Sequence, residues 1–145
     1  MRFRKSTHAV YKTEYHIVWT PRYRRKLFVQ GVKEYTESLL HHLDKLEEDI
    51  EVIKVNVQLD HIHLVVVIPP RISVASVVQY MKSQTSKKLK EKFEFMRKAI
   101  YGRSGIWSRG YCVSSIGMDE KTILAYVEYQ DKEDRGQLKL DLEPS

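Results

Sequence analysis

Residues 50–68, "IEVIKVNVQLDHIHLVVVI", constrain this chain more than any other stretch. Two β-branched runs, 50–59 and 61–68, are joined by only a tight turn at Leu59–Asp60. Runs of this kind with so short a connection form neighbouring antiparallel strands. Pro69–Pro70 stops the second run, because proline brings no N–H to a ladder. In that run Ile62, Leu64, Val66 and Ile68 share one face, and His61, His63, Val65 and Val67 the other. The first face is apolar throughout, as a face under helices must be. The second is apolar below a polar rim, which implies that something covers it too.

Helical periodicity flanks this unit on both sides. After Gly31, Val32, Tyr35, Leu39, Leu43 and Leu46 fall at helical spacing. From Ser73 to about Lys98 a second stripe is made by Val74, Val77, Val78, Met81, Leu89, Phe93 and Met96. Outside these helices lie two more extended runs. "TEYHIVWT" (13–20) sets Tyr15, Ile17 and Trp19 on one side and ends at Pro21, and "YCVSSIG" (111–117) follows a glycine-rich loop. Asp119 is placed to cap a last helix over about 119–134, followed by a polar tail at 136–145. The order is β-α-β-β-α-β plus a C-terminal helix within a single domain, 1–145. It predicts an α+β, ferredoxin-like sandwich in which helices cover an antiparallel four-stranded sheet. Many functions share that fold, so the chemistry has to come from particular side chains.

Charge narrows the partner. The net charge is +6, but residues 1–118 carry 21 Lys/Arg against 11 Asp/Glu, while 119–145 carry 4 against 8. A basic body with an acidic end favours a polyanion. The single cysteine, Cys112, excludes an intrachain disulfide and a thiolate metal cluster. No apolar run approaches the ~20 residues of a membrane helix. The basic N-terminus has no apolar stretch behind it, so a cytoplasmic protein without a membrane partner is expected.

His61 and His63 stand side by side on one face of a strand, about 7 Å apart at Cα. Such a pair either holds one metal ion or consists of two histidines satisfied by carbonyls or water. Both readings stay open on the pair alone. The last helix offers partners: Ile123, Tyr126, Val127 and Gln130 form one stripe. Two are apolar, as a buried face requires. Gln130 carries a hard carbonyl oxygen suited to Mg²⁺ or Mn²⁺, and Tyr126 an oxygen nucleophile. Taken alone, the stripe also reads as a Tyr126 that merely packs and a Gln130 at a solvated edge. Alternation points Asp60 away from the pair, which gives it a turn or supporting role rather than ligation.

These residues resemble those of a known family. "DHIHL" matches the His-hydrophobic-His signature of single-strand endonucleases that use a tyrosine nucleophile. "YVEYQ" is similar to the Tyr-x-x-x-Gln helix of the small single-tyrosine transposases of bacterial and archaeal insertion sequences, and "WSRGYCVSSIG" resembles the segment before that helix. The resemblance covers nearly the whole chain. It implies that His61, His63 and Gln130 hold one divalent ion, Mg²⁺ or Mn²⁺. It implies that Tyr126 attacks single-stranded DNA, leaving a 5′-phosphotyrosine link and a free 3′-OH. It also implies a homodimer whose last helix can dock on the partner, with Gly117 as hinge, and recognition of hairpins near element ends. Basic residues would then neutralise phosphates: Arg22, Arg24, Arg25 and Lys26 after the first strand, Lys82, Lys87 and Lys88 on the second long helix, and Arg109. Tyr23 or Trp107 would stack on a base. Two other readings remain: a non-catalytic nucleic-acid-binding module, and a metal-dependent hydrolase that uses the histidines without Tyr126.

Overall fold

The computed structural model describes residues 3–5, 8, 10–43, 49–98 and 105–142. In chain order these form β1 (Arg4–Lys5), β2 (Val10–Tyr11), β3 (Glu14–Trp19), a 3₁₀ turn (Arg22–Arg24), α1 (Val32–Leu43), β4 (Glu51–Gln58), β5 (His61–Val67), α2 (Val74–Lys92), α3 (Glu94–Lys98), β6 (Cys112–Ser114) and α4 (Glu120–Leu142). β1 and β2 make a small antiparallel pair that the sequence patterning did not announce. The other four strands form one antiparallel sheet in the order β4-β5-β3-β6. This is the expected ferredoxin-like arrangement, with the histidine pair on a central strand.

Pleating decides which side chains meet. Ile17 and Trp19 from β3, Ile62, Leu64 and Val66 from β5, and Val52 and Val57 from β4 join one buried cluster. α1 and α2 cover it with Val32, Leu40, Leu43, Val77, Val78, Met81 and Leu89. The buried face of α1 is centred on Thr36 and Leu40, with Tyr35 and Leu39 only half-buried at its edges. Thr36 is tolerated there because its Oγ1 donates to the Val32 carbonyl at 2.7 Å. The expected position Leu46 lies outside the described residues. The stretch from Ser73 to Lys98 is not one helix. Ser73 caps α2 through the Ser76 N–H, and Phe93 takes extended dihedrals (φ −117°, ψ 110°) that separate α2 from α3.

α4 lies on the opposite face of the sheet. Ile123 and Val127 bury against Val18, with Cys112, Met118 and Tyr126 packed around them. Burying two such aliphatic side chains is worth about 1.5–3 kcal/mol each. Asp119 caps the helix as expected, its Oδ1 accepting from the Thr122 N–H at 2.8 Å. The helix then continues through Gly136 to Leu142, where a tail was expected. A glycine weakens a helix interior by only about 1 kcal/mol, and Arg135 paired with Asp131 one turn back supports this stretch. The fourth strand is correspondingly shorter than 111–117, spanning three residues.

Candidate active site

Two constellations stand on the α4 side of the sheet. The first is built on β5. His61 is 7% exposed, and its Nδ1 lies 2.9 Å from Asp60 Oδ1. Asp60 Oδ2 in turn accepts from Arg24 Nε at 2.9 Å. Burial alone would raise the Asp60 pKa, but hydrogen bonds from His61 and Arg24, together with their charges, hold it below the usual carboxylate range. An ionised carboxylate only accepts, so His61 Nδ1 carries the hydrogen of this bond, and in the neutral tautomer the lone pair falls on Nε2. Alternation was expected to point Asp60 away from the pair, but its position in the turn lets the carboxylate reach back to His61.

His63 is half-buried, and its Nε2 lies 3.1 Å from Nδ1 of His16 on β3. Burial lowers the His63 pKa, and the neighbouring charges of His16, Lys54 and His61 lower it further, so the neutral ring is favoured near pH 7. His16 was missed in the sequence, although alternation within "TEYHIVWT" already places it on the face opposite Ile17 and Trp19. A pocket of about 550 Å³ opens over the pair, lined by His61, His63, Asp60, Lys26, Asn56 and Gln58 from the body and by Met118, Glu120, Ile123 and Leu124 at the start of α4.

The second constellation runs along α4. The Tyr126 hydroxyl donates to Gln130 Oε1 at 3.2 Å, and Gln130 Nε2 donates to Asp134 Oδ1 at 3.0 Å. Asp134 Oδ2 accepts from the Tyr23 N–H at 3.0 Å and from Ser108 Oγ. Tyr23 and Arg24 hold left-handed backbone (φ 62° and 53°), a conformation disfavoured for non-glycine residues that these contacts help retain. Gly110 backs the pair: a Cβ there would stand 2.6 Å from Gln130 Oε1 and 3.4 Å from the Tyr126 oxygen. Burial raises the Tyr126 pKa well above the ordinary phenol value, helped by the charges of Cys112, Asp134 and Tyr129. Asp134 and Ser108 were also missed, though Asp134 continues the 126, 130 stripe by one turn.

His61 and His63 line the pocket together with Ile123 and Leu124 of α4. Tyr126, one turn on from Ile123, packs against the cluster that holds Val18, the cross-strand partner of His63, and its hydroxyl is engaged by Gln130. Among the described residues, no three His, Cys, Asp or Glu side chains are arranged to hold a metal ion.

The expected DNA contacts divide. Arg25, Lys26, Lys87, Lys88 and Arg109 are exposed, and Lys88 lies 4.0 Å from Glu91. Arg22 stacks over the Tyr23 ring at 5.9 Å, and Arg24 is engaged by Asp60. Lys82 turns inward, donating to the carbonyls of Ser108 (2.9 Å) and Gly110 (2.8 Å). Trp107 is a correction. It is 6% exposed, stacked on Phe28 at 5.7 Å, and its Nε1 donates to the Lys82 carbonyl and Thr85 Oγ1. It is a core residue, with no face left for a base.

Comparison with known proteins follows this geometry. A family model described as "Transposase IS200 like" matches residues 9–130, a span that contains both histidines and ends on Gln130. The transposase for insertion sequence element IS200 of Salmonella typhimurium is 33% identical over 128 residues, covering 88% of this chain and 83% of that one. The ISDra2 transposase TnpA of Deinococcus radiodurans is 25% identical over 135 residues, covering 92% of this chain and 95% of that one. A crystal structure of a transposase from Deinococcus radiodurans R1 superposes with a TM-score of 0.76 at 25% identity, covering 88% of this chain and 97% of its own. With the four-stranded sheet, the histidine pair, Tyr126 and Gln130 all inside the matched span, the chain belongs to the IS200-like transposase family of DNA-processing enzymes.

Proposed function

We propose that the chain cleaves and rejoins single-stranded DNA through a covalent bond to Tyr126. The observation that supports this most directly is the Tyr126–Gln130 hydrogen bond on α4, beside a body that carries a histidine pair with an available ring nitrogen. In the reaction the phenolic oxygen attacks a backbone phosphorus and the bond to the 3′-oxygen breaks. The phenolic proton passes to solvent, and the leaving oxygen takes a proton from water. The products are a 5′-phosphotyrosine and a 3′-OH. Because an aryl phosphate ester is activated, a 3′-OH can later attack it and restore a phosphodiester without ATP.

The donor set suits a hard divalent cation. His61 offers Nε2 because Asp60 holds Nδ1, and His63 is kept neutral by burial. His61, His63 and the Gln130 amide oxygen would hold Mg²⁺ or Mn²⁺. When bound, such an ion withdraws charge from the phosphate and eases departure of the 3′-oxygen. The remaining work belongs to the chain. Gln130 orients the Tyr126 hydroxyl, Asp60 fixes the His61 tautomer, and the exposed Arg25, Lys26 and Arg109 neutralise neighbouring phosphates.

The proposal includes a homodimer in which α4 of one copy docks over the histidines of the other. The exposed stretch around Gly117, between β6 and α4, would turn the helix outward. Element ends bearing DNA hairpins are the proposed substrates.

The deciding experiment incubates the protein with labelled single-stranded element ends and Mg²⁺ or Mn²⁺, followed by denaturing electrophoresis. A denaturant-stable adduct in the wild type, lost in Tyr126→Phe while DNA binding persists, is the expected result. Binding without any adduct would point to a non-catalytic module. Cleavage that survives Tyr126→Phe would point to hydrolysis by the histidine site alone.

A further inference from the structure

Asp134 lies outside the residues matched by the family model, and among the described residues it is the most heavily satisfied carboxylate on α4. It is 6% exposed, eight residues after Tyr126 and four after Gln130, on one helical stripe. Its two oxygens collect donors from three parts of the fold: the Gln130 side chain on α4, the Tyr23 N–H in the 3₁₀ turn, and the Ser108 hydroxyl. That hydroxyl also lies 3.0 Å from Thr20 Oγ1. A buried charge is unfavourable unless so satisfied, and an apolar residue would pack there without that demand. The carboxylate therefore calls for a reason beyond packing.

The reason lies in the Gln130 amide, whose two ends are nearly equal in size and opposite in chemistry. The Tyr126 hydroxyl can donate to the oxygen or accept from the NH₂, so it cannot choose between them. Gly110 leaves space for either end. Asp134 only accepts, so it draws Nε2 toward itself and turns Oε1 toward Tyr126. We propose that Asp134 is a positioning residue, orienting the Gln130 amide so that its oxygen, not its NH₂, stands beside the nucleophile and is presented to the cation. This rests on the function proposed above and adds a residue to it.

The geometry yields a sharp test. In Asp134→Asn the Tyr23 N–H, a backbone donor that cannot turn around, claims the oxygen of the introduced amide. The NH₂ of that amide then faces position 130, and Gln130 must reverse, turning its own NH₂ toward Tyr126. Shape and hydrogen-bond number are kept, so the fold should survive. Adding Gln130→Glu should repair the defect, because a carboxylate offers an oxygen at both ends. The measurements are Mn²⁺ affinity of the full-length protein by calorimetry and ¹⁵N NMR of the Gln130 side-chain amide.

The wild-type Nε2 hydrogens should be slowed in exchange by the carboxylate and should lose that protection in Asp134→Asn. Mn²⁺ affinity should fall about tenfold or more in Asp134→Asn, the range seen when a ligand loses its supporting partner, and return in the Asp134→Asn/Gln130→Glu double variant. Affinity lost in Gln130→Ala but unchanged in Asp134→Asn would overturn the positioning role and leave the cation reading standing. So would a double variant no better than Asp134→Asn. Mn²⁺ binding unaffected by Gln130→Ala would sink the cation reading and the positioning role together. The wild-type NMR arm needs no variant to fold: rapid exchange at Nε2 would by itself overturn the proposal.

Discussion

His16 Nδ1 and His63 Nε2 lie 3.1 Å apart across the two central strands, with ring centroids 5.3 Å apart. Such a bond needs a donor on one ring and a lone pair on the other, so at least one imidazole must be neutral. Two protonated rings would set donor against donor and charge against charge. Burial first, then the His16 charge, lowers the His63 pKa. A histidine whose folded pKa lies below its unfolded value of about 6.5 binds fewer protons when folded. Stability from this group is therefore full above about pH 6.5 and is lost as pH falls toward the depressed folded value.

His16→Ala should raise the His63 pKa, because it removes a like charge and admits water, both of which favour the imidazolium. NMR titration of the His63 ring protons measures this directly. The variant should also lose less stability than wild type between neutral and mildly acidic pH. A His63 pKa that stays put or drops would show that the contact has no electrostatic weight.

Trp107 gives the second prediction. Its ring packs on Phe28 and meets Trp19 edge-on at 5.9 Å, inside the main core. Trp107→Ala should destabilise by about 3–5 kcal/mol through the cavity it leaves. Trp107→Phe should cost less and leave single-stranded DNA affinity within about twofold of wild type, since neither ring reaches the surface. Chemical denaturation and fluorescence anisotropy separate the two. A stable Trp107→Phe variant with weakened DNA binding would restore the stacking role.

Trp107 also marks where the sequence stops being legible. Strand alternation in "HIHLVVVI" correctly assigned the two faces of β5, because a period of two leaves no ambiguity once one face is wholly apolar. The hairpin turn was legible in the same stretch, and the four-stranded antiparallel sheet in the order of elements along the chain. A tryptophan in a glycine-rich loop offers no period, and only tertiary contacts with Phe28 and Trp19 reveal its burial. The α2–α3 break at Phe93 was hidden for a related reason: Leu89, Phe93 and Met96 keep helical spacing across it. At the site, Tyr126 and Gln130 were visible as a helix stripe. Their approach to Gly110, and the bonds of Asp134 to Ser108 and Tyr23, join segments far apart in the chain, and no local pattern encodes those.

Lys82 supplies a third prediction, on pH. Burial pushes its ammonium down to about 8, partly opposed by the Asp134 charge. Between about pH 8 and the unfolded lysine value of about 10.4, the unfolded chain binds more protons than the folded one, so this group makes stability rise with pH. In Lys82→Met that rise is absent. The stability of wild type relative to Lys82→Met should increase over this window by about 2–3 kcal/mol and then level off. Urea unfolding at a series of pH values gives the difference. Parallel curves for the two proteins would mean that Lys82 is hydrated despite its bonds to the Ser108 and Gly110 carbonyls.

Gly110 is the strictest test of how the Tyr126 hydroxyl is held. Its φ is not in the left-handed region, so alanine meets no backbone penalty there, and only space is at issue. A Cβ would stand 2.6 Å from Gln130 Oε1, well inside contact distance. The free end of a long side chain could ordinarily yield. Here Gln130 is 8% exposed and its other end is tied to Asp134, so yielding means breaking that bond or lifting α4 from the sheet. Overpacking of this kind typically destabilises by about 1–3 kcal/mol. For a chain of this size that lowers Tm by several degrees, at roughly 2–4 °C per kcal/mol. Gly110→Ala should therefore melt earlier and form the proposed Tyr126–DNA adduct more slowly by at least about tenfold, while exposed Arg109 keeps DNA binding near wild type. Adduct formation at the wild-type rate in a folded Gly110→Ala protein would mean that Gln130 and Tyr126 leave this contact before the reaction begins.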